Sequence, residues 1–278
     1  MGFEEKERRL ARKTEDILLG NFLAQIEAHW RDVPELEIRS RELAHLAIIC
    51  DGNRRSAKEK GLPELLGHRL GVEVITGISR ACRKWDVKHL TFWVFSTENW
   101  GRDKEQVEFL MDLFERFGSD PAYLAELQEN KVGLTHFGRK DHLTTNLRQL
   151  VDYLEKETRR YQPSFNLNIA LDYGGVDEIN RALARILQDM NAGWILPREV
   201  LDNEDMIFDY LDSRGQPNPD LVVRTGGVGD LPHTSGFMPI QTAYSSWAFI
   251  DDYFPDLTPQ TLMGNIHQFI KNKRRFGA

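Results

Sequence analysis

Apolar positions along this chain fall into two patterns, short apolar-rich runs and stripes at helical spacing, and the two alternate. The runs cover 46–50, 89–96, 132–137, 165–172, 220–223 and 247–250. The first, Leu46 to Cys50, is continuous, the pattern of a strand buried on both faces of a parallel sheet, and the others also read as strands. The helical stripes lie at 63–84, at Val107, Leu110, Met111, Phe114 and Phe117, and at 143–159, 177–190 and 262–275. Strands separated by helices predict an α/β fold: a single domain with a mainly parallel central sheet of about six strands and helices on both faces. Leu10, Ile17, Leu18, Phe22, Ile26 and Trp30 recur near helical spacing in a charge-rich stretch, so residues 1–43 read as an N-terminal amphipathic helical extension closed near Pro34. Its expected role is to pack on the domain that follows, 44–278.

Composition narrows the classes of function. The chain has 278 residues, of which 41% are hydrophobic, enough for a sizeable core. Its net charge of −7 argues against a general nucleic-acid binder, so any basic patch must be local and built for a small anion. Cys50 and Cys82, with no secretory leader, point to a reducing, cytoplasmic setting without disulfides. No apolar stretch approaches bilayer length, which leaves at most peripheral membrane contact.

The chemistry concentrates where the first run ends. After Leu46-Ala-Ile-Ile-Cys50 come Asp51, Gly52, Asn53, Arg54 and Arg55. In open α/β sheets ligands bind beyond the carboxyl ends of strands. There a glycine turn offers backbone N–H groups, two arginines offer forked donors for phosphate, and a carboxylate offers a site for a hard cation such as Mg2+. One carboxylate beside two arginines suggests a metal–phosphate ligand; the same turn is also compatible with a plain strand-to-helix connection whose charges face water. The second run ends similarly, on Ser96-Thr-Glu-Asn-Trp-Gly-Arg102, and the fifth on Arg224-Thr-Gly-Gly227.

Five blocks in order, His45–Arg55 with Gly67-His68, Phe95–Trp100, Asp172-Tyr-Gly-Gly175, Asp220–Gly227 and Arg274-Arg-Phe-Gly277, resemble the cis-prenyltransferases, of which undecaprenyl diphosphate synthase is the best-known member. The resemblance covers about residues 45–278. It implies a Mg2+-dependent prenyltransferase that condenses an allylic prenyl diphosphate with isopentenyl diphosphate to a (Z)-prenyl diphosphate, and a homodimer. It assigns Asp51 to metal and catalysis. Ser96 and Asn99 would assist proton removal. Gly52, Asn53, Arg54, Arg55, His68 and Arg102 would bind the ionising diphosphate, and Arg224, His233 and Ser235 the second one. Arg275 and Gly277 would reach across the dimer, while Trp93, Val94, Leu110 and Phe114 would wall a hydrophobic tunnel. Bulk at Trp93 and Val94 argues for a shorter product.

The departures from the family pattern cluster. The segment 228–237 is about three residues longer than usual and puts His233 where an arginine is expected; Ser246 replaces an acidic metal partner, with Asp251 and Asp252 nearby; Ser56 and Glu64 replace a tryptophan and an arginine. Losing a permanent cation and a carboxylate alters the acceptor site more than the ionising site. Besides ordinary condensation, this leaves open irregular coupling or cyclisation of allylic diphosphates, a non-catalytic subunit of a heteromer, and a phosphate-binding regulatory module.

Overall fold

The computed structural model describes the backbone of residues 3–38 and 42–272 and the side chains of 13–38 and 42–272. Six strands form one sheet: β1 (His45–Ile49), β2 (His89–Ser96), β3 (Val132–Phe137), β4 (Phe165–Tyr173), β5 (Leu221–Arg224) and β6 (Ser246–Phe249). Their order is β3-β4-β2-β1-β5-β6 and every pairing is parallel. The expected strands are all present, with ends displaced by a residue or two. Cys50, for example, falls just beyond β1.

Strands β1 and β5 are buried along nearly their whole length, which is why their runs show no polar alternation, whereas β6 is half-buried and β4 carries Asn166 and Asn168. Leu46, Ile48, Leu90, Phe92, Leu221 and Val223 enter the larger core. Their neighbours Ala47, Ile49, Trp93 and Val222 point the other way, into a cluster closed by Tyr173, Phe237 and Met238. The helices are α1 (Phe3–Arg31), α2 (Asn53–Glu59), α3 (Leu66–Lys84), α4 (Lys104–Gly118), α5 (Pro121–Glu129), α6 (Thr145–Thr158), α7 (Gly175–Asn191), α8 (Pro197–Asp202) and α9 (Pro259–Lys271). Of these, α2, α5 and α8 are too short to carry a periodic stripe, so the pattern does not resolve them.

Two helix boundaries differ from expectation for local reasons. Pro63 sits in a turn, its carbonyl accepting from Leu66 N–H at 2.9 Å, and α3 begins only there. Likewise α1 stops at Arg31, ahead of Pro34. The chain then lies on α3: Lys84 Nζ donates to Val33 O at 2.7 Å and Trp85 Nε1 to Pro34 O at 2.9 Å. Ile26 and Trp30 of α1 join the main core. Burying a side chain of the size of Ile26 contributes about 2 kcal/mol.

Parallel pairing delivers the ends of all six strands to one rim. Ile49 stands opposite Trp93 and Arg224, and Arg224 opposite Phe249. Ser246 pairs with Leu221, at the start of β6. Three residues of strand put it roughly 10 Å below the rim. Ser246, expected where the family has an acidic metal partner, thus starts β6 instead of ending it. The carboxylate that follows β6 at the rim is Asp251.

Candidate active site

Asp51 leaves β1 and is tied at once to β5. Its N–H donates to Thr225 Oγ1 at 3.1 Å, and that hydroxyl lies 2.8 Å from Asp51 O. The carboxylate is bracketed by cations. Oδ1 accepts from Gly52 N–H at 2.6 Å and from Arg55 Nη2 at 3.3 Å, and Oδ2 accepts from Arg224 Nη2 at 3.0 Å. Arg55 is held in turn by Gly226 O at 2.9 Å and lies over the Tyr253 ring, 5.2 Å from its centroid. Gly226 makes this approach possible: its φ is +77°, and a Cβ there would sit 2.9 Å from Arg55 Nη2 and 3.0 Å from the Asp51 carbonyl carbon.

Three polar cavities meet at this carboxylate. The first, about 400 Å³, is basic, with Arg54, Arg55, Lys58, His68 and Arg102 in its wall beside Gly52 and Asn53. Lys58 was not singled out from the sequence, although it lies four residues from Arg54 and so shares its face of α2. Arg54 is engaged by Glu64, Nη2 to Oε2 at 2.6 Å. His68, in the first turn of α3, has a buried Nε2 with no hydrogen-bond partner. Burial, then the nearby Arg102 and Arg54, lower its pKa to about 4, so the imidazole is neutral at neutral pH.

The second cavity, also about 400 Å³, shares Asp51, His68 and Arg102 and adds Ser96, Asn99, Arg224 and Ser235. Asn99 lies in the 3₁₀ turn Thr97–Gly101 after β2, and its Oδ1 accepts from Ser96 N–H at 3.2 Å. The third, about 160 Å³, lies between Asp51, Arg224, Asp230, His233 and Asp251. Here Arg224 Nη1 donates to Ser235 Oγ at 2.7 Å and His233 O at 3.0 Å, while Ser235 Oγ lies 2.9 Å from His233 Nδ1. Asp252 turns away and accepts from Thr261 Oγ1 at 3.2 Å.

An apolar cavity of about 90 Å³ continues from Val94, which lines it and the second polar cavity alike. Phe114, Ile75, Leu150 and Ile169 are in its wall. Of the four residues expected to wall a tunnel, Val94 and Phe114 line this apolar cavity. Leu110 is buried beside Phe95 and Leu147. Trp93 projects to the opposite face of the sheet, stacked on Phe237 with centroids 5.1 Å apart and donating Nε1–H to Tyr173 O at 3.1 Å. Adjacent strand residues point to opposite faces; at the rim Trp93 and Val94 both line the second polar cavity, and of the two only Val94 continues into the apolar one. Arg275 and Gly277 lie outside the described residues.

A parallel sheet whose carboxyl edge carries the Asp51 carboxylate between arginines, a basic cavity and an adjoining apolar cavity suits an α/β enzyme that handles an anionic head on an apolar chain. Comparison with known proteins fixes the family. Residues 49–277 match the family model described as "putative undecaprenyl diphosphate synthase". The chain is 40% identical over 233 residues to the tritrans,polycis-undecaprenyl-diphosphate synthase (geranylgeranyl-diphosphate specific) of Thermococcus kodakarensis, covering 84% of this chain and 86% of that one. It is 39% identical over 234 residues to the isoprenyl transferase of Bacillus anthracis, covering 84% and 88%. Among solved structures, lavandulyl diphosphate synthase from Lavandula x intermedia, in complex with dimethylallyl diphosphate, superposes with a TM-score of 0.78 at 28% identity, over 85% of this chain and 99% of that one. A probable undecaprenyl diphosphate synthase from Campylobacter jejuni gives 0.67 at 27% identity, over 85% and 99%. The chain belongs to the undecaprenyl diphosphate synthase family, and it is a prenyltransferase of the cis-chain-elongating class.

Proposed function

We infer that the chain joins an allylic prenyl diphosphate to isopentenyl diphosphate, forming a (Z)-prenyl diphosphate and releasing pyrophosphate, with the roles divided between the cavities that share Asp51. The observation that carries this reading is the junction itself: a basic cavity, a second polar cavity and an apolar cavity meet around Asp51 and Val94. Arg54, Arg55, Lys58 and Arg102 bind the allylic diphosphate, and neutral His68 hydrogen-bonds to it. The allylic C–O bond breaks and its electron pair leaves on pyrophosphate. Cations fixed beforehand around that developing charge lower the barrier. Arg224, with His233 and Ser235 bound to it, holds the second diphosphate; the alkene there supplies the pair for the new C–C bond, and a proton is lost beside the Ser96–Asn99 wall. The apolar cavity takes the growing chain and keeps water from the cation.

The donors suit a divalent cation brought in by substrate. Among the described residues no three side chains form a ligand cluster, and Mg2+ is commonly held by one or two carboxylates plus phosphate oxygens and water. Asp51 would hold it, with Asp251 facing the same small cavity. Mg2+ there would neutralise charge on the departing pyrophosphate. We further assign a homodimer in the cytoplasm, with Arg275 and Gly277 reaching the partner's diphosphate. The exposed Val176, Leu183 and Leu187 on α7 supply apolar surface for pairing. Among the described residues no helix is long and apolar enough to cross a membrane.

The test is product analysis with Mg2+ and dimethylallyl, geranyl or farnesyl diphosphate, each with and without isopentenyl diphosphate. Elongation that requires isopentenyl diphosphate is expected. Products from the allylic substrate alone would replace this reading with irregular coupling or cyclisation, and diphosphate binding without turnover would make the chain a subunit or a binding module.

A further inference from the structure

In the sheet β4 lies between β3 and β2, so its last residues reach the loops on both sides. Asp172 stands there, fully buried, with φ at +52°. Aspartate and asparagine tolerate this left-handed conformation better than other residues with side chains. Its carboxylate collects donors from both neighbouring loops. From the loop after β3, Arg139 donates through Nη2 to Oδ1 at 3.0 Å and through Nε to Oδ2 at 3.2 Å, and His142 Nδ1 lies 3.5 Å from Oδ2. From the turn after β2, the Trp100 indole N–H donates to Oδ1 at 2.7 Å. The same turn touches β4 again at Gly174, where a Cβ would meet Thr97 Oγ1 at 2.5 Å.

Trp100 is the residue between Asn99 and Gly101-Arg102, so its placement sets theirs. Its ring packs edge-on against Phe95, centroids 5.1 Å apart, and its N–H is bound by Asp172. We propose that Asp172 is a positioning residue for prenyl transfer, holding Trp100 so that Asn99 and Arg102 face the diphosphate cavities. Asp172 touches neither cavity and acts through the indole. The proposal rests on the reaction inferred above for its kinetic consequence, while its effect on phosphate binding does not depend on that reaction.

The experiment uses the purified full chain and the variants Trp100→Phe, Asp172→Asn and Asp172→Ala. Three quantities are read: affinity for inorganic pyrophosphate by calorimetry, kcat and KM with farnesyl and isopentenyl diphosphates, and Tm. Trp100→Phe keeps a ring against Phe95 and removes only the N–H; it is expected to lose about 10- to 100-fold in kcat and to bind pyrophosphate more weakly, at near-normal Tm. Asp172→Asn keeps an acceptor for the indole and fits the left-handed backbone, so it is expected to stay within about threefold of the parent, whereas Asp172→Ala matches Trp100→Phe and the two losses do not add. Trp100→Phe with parental kcat, KM and pyrophosphate affinity overturns the proposal. So does Asp172→Asn as impaired as Trp100→Phe, or an Asp172→Ala defect confined to Tm. If the parent chain shows no turnover but Trp100→Phe still weakens pyrophosphate binding, the positioning role stands and the inferred reaction falls.

Discussion

Replacing Asp51 by asparagine separates the charge at the junction from its shape. The amide still accepts from Gly52 N–H, but Arg224 loses its ion pair with Asp51 and Arg55 keeps only Asp230, 3.7 Å away. The Asp51 side chain is 37% exposed, as is Arg55 at 39%. The exposed pair with Arg55 contributes only about 0.2–1 kcal/mol, and the pair with Arg224, whose side chain is 12% exposed, somewhat more, so folding should change by about 1–2 kcal/mol, a Tm shift of roughly 2–8 °C. Turnover should change far more. Losing one preorganised electrostatic group typically costs about 10²–10³ in kcat, or roughly 3–4 kcal/mol. Pyrophosphate affinity then reports how Asp51 acts. With no divalent cation, removing a carboxylate beside an anion tightens binding by about 1 kcal/mol, roughly fivefold, after solvent screening. With Mg2+ present the order reverses, because the metal loses its protein ligand. Calorimetric titration of pyrophosphate into both proteins, with Mg2+ and with chelator, reads both arms. Equal affinities for the two proteins in both conditions would refute Asp51 as the group that joins metal to diphosphate.

Glu64 holds Arg54 at 2.6 Å in a half-exposed pair, so Glu64→Gln should free the guanidinium and tighten allylic diphosphate binding by about two- to fivefold at low salt, an effect that should vanish at high ionic strength in a titration. Val94→Ala widens the passage between the second polar cavity and the apolar one, and chromatography of the products should show longer chains than the parent makes; an unchanged distribution would place the length control elsewhere. His45 is buried with its pKa lowered from 6.5 to about 3, mainly by burial, and its ring bridges Pro217 O and Thr91 Oγ1 at 2.7 Å each. The unfolded chain therefore binds this proton before the folded one does, so stability present above pH 6.5 is lost as pH falls toward about 3, by up to about 1.4 kcal/mol per pH unit. Urea melts of His45→Gln should show a shallower acid slope over that interval.

Where the site is built from one continuous stretch, it was legible before folding. Asp51 and Arg55 are four residues apart at the mouth of a short helix, and the apolar run before them marks the strand that presents them. The runs located the strands for an equally local reason, since burial enriches a strand in apolar residues, most completely in β1, which is buried at every position. Other parts of the site were hidden because they depend on which segments meet. The bond from Arg224 to Asp51 spans 173 positions and exists only because β5 lies beside β1. The opposite facing of Trp93 and Val94 followed from the two-residue period, yet the pattern carried no mark of which of them lined the apolar cavity. Ser246 was matched by its place in a motif, and only the register of β6 against β5 showed that it starts the strand instead of ending it. Asp172 was visible as part of a motif but without a role, because Trp100, Arg139 and His142 approach it from two other strands' loops. Hydrophobic periodicity is a local property of the chain, and it determined the elements and the residue types at their ends. Ion pairs, cavities and positioning contacts join elements distant in sequence, and the order and register of the sheet decided them.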